Sequence, residues 1–221
     1  MNVDFYKTVA LCLRMEDCQF LKGNFRNFNA LDFRALKTSF EHASFRTSKL
    51  RTEFTEVSFD QVNFSGALVN SSNWTYTTVN NSSLVHASFA QSVLSCCAFD
   101  NVQARHATWN QVMLCASNFR FSNFYKMKFS EGKIQDATFD SCAFRNAVFS
   151  DTEITASCFY RCDMQSTGFK NIRLKDVAFT ECDMQETNIE DALSLEGCSF
   201  NHTKVKEESR SAIESKGGRF Q

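Results

Sequence analysis

A large or apolar residue stands at every fifth position from Phe54 to Ile189 without one slip of register. The series opens Phe54, Phe59, Phe64, Val69, Trp74 and closes Phe169, Leu174, Phe179, Met184, Ile189, and its only small member is Ala104. An amphipathic helix repeats about every 3.6 residues and a half-buried strand every second one, so a strict period of five belongs to neither. The chain must return one side chain to a common interior every five residues. Residues two before each centre are mostly small, as at Ala67, Ala87, Cys97, Ala107, Ser117, Gly132, Ala137 and Cys142. One large and one small inward residue per five describe one side of a square, and four sides close a coil of twenty residues. Coils of this kind stack into a solenoid in which each unit touches only its neighbours. Proline is absent from all 221 residues, where ordinary usage predicts about eleven; a proline would remove a donor from the ladder between coils.

The spacing extends beyond the central run. Phe20, Phe25, Phe40, Phe45 and Leu50 keep it before a one-residue deletion at Phe54, and a one-residue insertion after Ile189 leads to Leu195, Phe200 and Val205. The order of a small residue, a polar one, a large centre and two variable polar positions resembles the pentapeptide-repeat family. That resemblance implies an all-β fold, a right-handed quadrilateral β-helix, with short helical capping segments at its ends. The family's usual Asp or Asn before the centre is often replaced here, for example by Lys128, Lys133, Val148 and Arg173, a departure of surface chemistry rather than of fold.

Three segments are expected. Residues 1–18 read as a helical amino-terminal cap, with Val3, Tyr6, Val9, Ala10 and Leu13 on one face. Residues 19–205 form the β-helix, and 206–221 a carboxyl-terminal helical segment with Ile213 as its large apolar residue and Gly217 and Gly218 as its stop, for which capping the last coil, mediating a dimer and fraying are the readings in that order. Between residues 25 and 40, Ala30 and Ala35 hold centre positions while Phe28 and Phe33 suggest a competing register, so an irregular or bulged coil is expected there.

Sorting by twenties separates chemically distinct columns. Phe59, Phe99, Phe119, Phe139, Phe159 and Phe179 form one aromatic core stack, and Phe89, Trp109, Phe129, Phe149 and Phe169 face it. These are read as core packing, not a cofactor box. Cys142, Cys162 and Cys182 fall in the small inward column, where a straight row offers no tetrahedral convergence for a metal, so they are read as small apolar residues. Of the adjacent Cys96 and Cys97, one should face out. His86 and His106 share an outward column without a third ligand. No phosphate loop, nucleophile elbow or zinc-protease motif occurs, and the unbroken register leaves no loop on which catalytic groups usually sit. No catalytic, metal or cofactor site is expected, and the protein is read as a non-enzyme.

The outward columns carry what functional signal there is. His86, Arg105, His106, Tyr125, Lys126 and Arg145 collect on one side as a basic and aromatic patch; Glu131, Asp151, Glu190 and Asp191 collect beside it, with Lys170 among them. A formal charge of −1 and no nucleic-acid module argue against direct nucleic-acid binding. No apolar run approaches the length of a membrane span and charges interrupt the amino terminus, so a cytoplasmic location without membrane insertion is expected. The resemblance implies a protein-binding rod, monomer or homodimer. Some family members bind type II topoisomerases such as DNA gyrase as DNA mimics and confer quinolone resistance; on that reading Glu131, Asp151 and Asp191 form the duplex-like stripe. Members that act this way are commonly strongly acidic, and some use projecting loops, whereas this chain is nearly neutral and has no loop in its central repeats. The alternative is a bacterial effector, delivered to a host cell, or a regulatory adaptor that recognises another protein through Arg105, His106, Tyr125, Lys126 and Arg145.

Overall fold

The corners of the coil are made by backbone conformation. Every fifth residue from Glu56 to Glu186 has φ between +47° and +67°, the left-handed region that reverses the curl of an extended chain. The computed structural model describes residues 2–220, without the side chain of Glu190, which the acidic set above includes. It is a parallel β-solenoid of about eleven turns, traced by the bridge series from Asp4 through Asn24, Ser44 and Asn63 to Lys204.

Four faces follow, each called by one of its centres. On the Phe59 face Val79 pairs with Phe59 below and Phe99 above; on the Val69 face Phe89 pairs with Val69 and Trp109; on the Trp74 face Leu94 pairs with Trp74 and Leu114. The Phe64 face is held by single bridges. Each residue before a centre donates its N–H to the coil before, as Val93 does to the Ser72 carbonyl, and each left-handed residue donates to the coil after, as Asn101 does to Arg120.

Centres and small inward residues fill the interior. Phe99, Phe119, Phe139 and Phe159 stack at 4.7 to 4.8 Å with rings tilted 9° to 12°, close to the rise of one strand. The facing column is looser, with Trp109 and Phe129 at 6.3 Å and Phe129 and Phe149 at 6.1 Å. Small polar residues serve as rivets: the Ser117 hydroxyl accepts from Cys97 N–H at 3.1 Å and donates to the Leu94 carbonyl at 3.3 Å.

The expected irregularity lies in strands Asn29–Leu36 and Lys49–Thr55, whose pairing shifts register between Ala30 and Phe33. Neither strand contains a left-handed residue, so the chain cuts this corner in extended form and accommodates the deletion at Phe54. Both candidate registers are correct: Ala30, Ala35, Phe28 and Phe33 are all buried, with Phe33 filling the small slot and packing edge-on against Phe54 at 5.0 Å. Large and small have exchanged places.

Over the described residues 2–18 the helical reading of segment 1–18 is wrong, as is the boundary drawn after it. This segment is a further coil, with strands Val9–Ala10 and Leu13–Glu16 paired to Asn29–Leu36. Phe5, Ala10 and Met15 continue the five-residue series back from Phe20, and Phe5 stacks on Phe25 at 5.2 Å. The apparent helical face arose because Val3 and Leu13, which pack on the core, alternate with Tyr6 and Val9, which are exposed.

At the other end the inserted residue is absorbed by a 3-10 turn, Ile189–Asp191. The turn Glu207–Ser209 and helix α1 (Arg210–Ser215) then carry Ile213 onto the core, where it is fully buried. Beyond the helix, strand Arg219–Phe220 adds to Ser199–Asn201 on the Phe59 face, an element not foreseen in the tail.

Candidate interaction faces

Two outward residues follow each centre, and at the corner after the Phe64 face they assemble the basic and aromatic set. On this face Asn or Asp before the centre accepts from the backbone two residues on, as Asn123 does from Tyr125 N–H at 3.0 Å and Asp163 from Gln165 N–H at 3.1 Å. These turns fix where the outward side chains leave the coil. His86 and His106 stack at 5.0 Å, Tyr125 meets His106 edge-on at 5.8 Å, and the Lys126 ammonium lies 5.2 Å from the Tyr125 ring centre. The corner is thus a continuous strip of rings with the Lys126 ammonium against the last of them.

Arg145 stands apart from that strip. Its guanidinium pairs with Asp163 at 3.4 Å and donates to Gln165, whose amide donates in turn to Asp183 at 2.7 Å. Arg105 and Lys126 have no carboxylate partner among the described residues. The cationic centre of the corner is therefore Arg105 and Lys126, with Arg145 neutralised at its edge.

The acidic stripe is a ladder of amides and acids. Gln91 donates to Gln111 at 3.3 Å, Gln111 to Glu131 at 3.0 Å, and Asn171 to Asp151 at 3.2 Å. Glu131 and Asp151 occupy successive coils, whereas Asp191 lies in the 3-10 turn and accepts from Asn188 at 2.7 Å. Beside the ladder runs a groove of about 660 Å³, which Lys133 and Arg173 also line; Lys133 pairs with Glu153 at 3.0 Å. Gly132 also lines it, and a Cβ there would meet the Val112 carbonyl oxygen at 2.5 Å.

A further aromatic patch was missed. At the corner after the Phe59 face, Phe121 is 53 % exposed with the Arg120 guanidinium 5.3 Å from its ring centre, and Arg161 lies 4.4 Å from the Tyr160 ring. Its signal was available: Phe121 is an aromatic residue two places after a centre, in a column otherwise polar between Gln61 and Ser141.

The cysteine column is buried at Cys142, Cys162 and Cys182, and Cys97 is buried while Cys96 is half-exposed. Burial pushes the Cys97 thiol up to about 11. Hydrogen bonding to its neighbour thiol, with burial, also raises Cys162 and Cys182. Thiols held protonated in this way are poor nucleophiles and poor ligands; each donates instead to backbone carbonyls, as Cys162 does to Phe139 at 3.4 Å. Among the described residues no three of His, Cys, Asp and Glu converge as a metal site, and no helix is long and apolar enough to cross a membrane.

Residues 132–209 match the family model described as Pentapeptide repeat region. No curated protein matches the chain. Among solved structures, full-length QnrB1, a plasmid-mediated fluoroquinolone resistance protein, is 11% identical over 94% of this chain and 98% of its own, with a TM-score of 0.45. HetL, a pentapeptide repeat protein involved in heterocyst differentiation regulation from the cyanobacterium Nostoc sp. strain PCC 7120, is 11% identical over 89% of this chain and 88% of its own, with a TM-score of 0.41.

Proposed function

Because residues 132–209 match the pentapeptide-repeat family model, we propose that the chain acts as a non-catalytic protein-binding rod whose contact surface is the basic and aromatic corner. The observation that carries this reading is the strip of His86, His106, Tyr125 and Lys126 with the unpaired Arg105 beside it. Arginine and tyrosine are frequent anchors of protein interfaces, and a partner with an acidic surface would meet cations that have no internal carboxylate to compete for them. An effector or regulatory adaptor would use such a corner. Affinity capture with the wild type and an Arg105→Glu, Lys126→Glu variant tests it: the partner should be lost, and equal capture by both proteins would count against the corner.

A second reading, binding of DNA gyrase as a DNA mimic, is supported by Glu131 and Asp151 on adjacent coils. Carboxylates spaced one coil apart, about 4.8 Å, are sparser than duplex charges at about one per 1.7 Å, so this stripe is the weaker candidate. Supercoiling assays with gyrase, with and without a quinolone, decide it. Inhibition or protection should disappear in a Glu131→Lys, Asp151→Lys variant; neither effect from the wild type at micromolar concentration would remove the topoisomerase reading.

A further inference from the structure

Of the four outer faces, one carries no acid over most of its length. On the Val69 face the outward residues form two columns, one running Asn29, Lys49, Leu68, Ser88 and on to Gly168, the other Leu31, Arg51, Asn70, Ala90 and on to Lys170, and neither holds an Asp or Glu over that stretch. The other three faces do, at Asp100 and Asp140, at Asp163 and Asp183, and at Glu53 and Glu153. The four cations of the Val69 columns, Lys49, Arg51, Lys128 and Lys170, make no ion pair among the described residues. Asp32, at the cut corner beside Leu31, is held instead by Arg34 at 3.1 Å. Positive charge therefore stands uncompensated over about six coils, roughly 29 Å at ~4.8 Å per coil. Exposed aliphatic side chains accompany it. Leu31 and Leu68, together with Lys49 and Arg51, line a hollow of about 360 Å³ where the chain cuts its corner, and Val148 is one rung above Lys128. Between these two groups Ser88, Ala90, Thr108 and Ser130 keep the face low.

We infer that the Val69 face is a docking surface for an anionic lipid membrane, on which the rod lies along its length. A protein partner of fixed shape calls for a continuous apolar patch or a pocket that matches its anchors, whereas this face offers separate aliphatic groups, each beside a cation. That pairing suits an interface with two depths. The leucine and valine side chains reach the glycerol and acyl level while the long basic side chains stay among the phosphates. Stable adsorption takes an apolar and an electrostatic signal together, and each cation held near an anionic surface strengthens partitioning about five-fold. Glu131 and Asp151 stand at one corner of the face and His106 and Lys126 at the other, so the rod lies rolled towards the basic corner, with the acids lifted from the surface. Adsorption of this kind needs no spanning helix, and the described residues contain none. Charge complementarity over an extended, low face thus selects a lipid surface.

Cosedimentation of the full chain with phosphatidylcholine vesicles containing roughly 30 % phosphatidylserine tests this. The wild type should bind these vesicles, should ignore vesicles of phosphatidylcholine alone, and should be released as salt is raised. Lys128→Glu with Lys170→Glu should weaken binding about 25-fold or more, and so should Lys49→Glu with Arg51→Glu lower on the face. Circular dichroism of both double variants should match the wild type, since none of the four side chains makes an ion pair. Capture of a protein through Arg105 and Lys126 should be unchanged in them, so this proposal and the protein-binding reading fail separately. No binding to the anionic vesicles overturns the proposal, as does equal binding to neutral ones or binding that ignores either double variant.

Discussion

The two sides of the coil centred on Ala30 and Ala35 and the coils between 54 and 189 fill the same square with opposite assignments. In the later coils the centre is large and the residue two before it small; around Ala30 and Ala35 the centre is small, and Phe28 and Phe33 supply the volume. The difference teaches that each side of the square must contribute one large and one small side chain, while their order is negotiable when the corner is taken in extended form. Conservation of volume in a close-packed interior explains this, because a void and an overlap are both costly.

The exchange can be broken most directly at Phe33. Phe33→Ala leaves two small residues on one side of the coil and should cost about 3–5 kcal/mol in urea unfolding. Phe33→Ala combined with Ala35→Phe restores the order of the later coils and should recover much of that loss; a double variant as unstable as the single would show that the corner, not the volume, dictates the order. In the later coils the small slot is at its tightest at Gly132. Gly132→Ala would drive its Cβ to 2.7 Å from the Phe129 ring as well as onto Val112, and a loss of about 1–3 kcal/mol is expected.

The two tryptophans sharpen the contrast. Trp74 donates its indole N–H to Thr52 at 2.8 Å, in the strand that cuts the corner, whereas the Trp109 indole nitrogen is buried without a partner. Trp74→Phe should therefore lose about 1 kcal/mol beyond its change in volume, and Trp109→Phe less, since it removes an unsatisfied donor. Equal losses in thermal unfolding would mean that the Thr52 bond contributes nothing. The smallest effect is expected at Thr47, which holds φ of +57°. Thr47→Asn should stabilise by a few tenths to about 1 kcal/mol, read as a raised melting temperature.

The later coils were legible because each repeat states its register independently, so Ala104 alone could not obscure it. The first coil was not: Ala10 is small, Met15 and Phe5 stood unconnected, and a three-and-four spacing of apolar residues imitated a helix. At the basic corner the column arithmetic brought His86 and His106, Tyr125 and Lys126 together correctly. It did not reveal that Arg145 is neutralised, because Asp163 sits eighteen residues on, on the inner flank of the next turn, where the sequence of the column itself is silent. Nor did it reveal the conformation at Asp191, since the inserted residue is taken up in the 3-10 turn Ile189–Asp191.

Left-handed corners limit the vocabulary in which this surface can be written. From Glu56 to Glu186 the corner slot is filled by Gly, Ala, Ser, Cys, amides, charged residues, His, Phe and Tyr, and never by Val, Ile or Thr. Five of the candidate contact residues, His86, His106, Lys126, Glu131 and Asp151, occupy that slot. A lineage acquiring a new partner is thus free to redraw charge and aromaticity along each edge of the rod, while β-branched letters are withheld from half of its corner positions. The same rule that turns the chain edits what it can say to its neighbours.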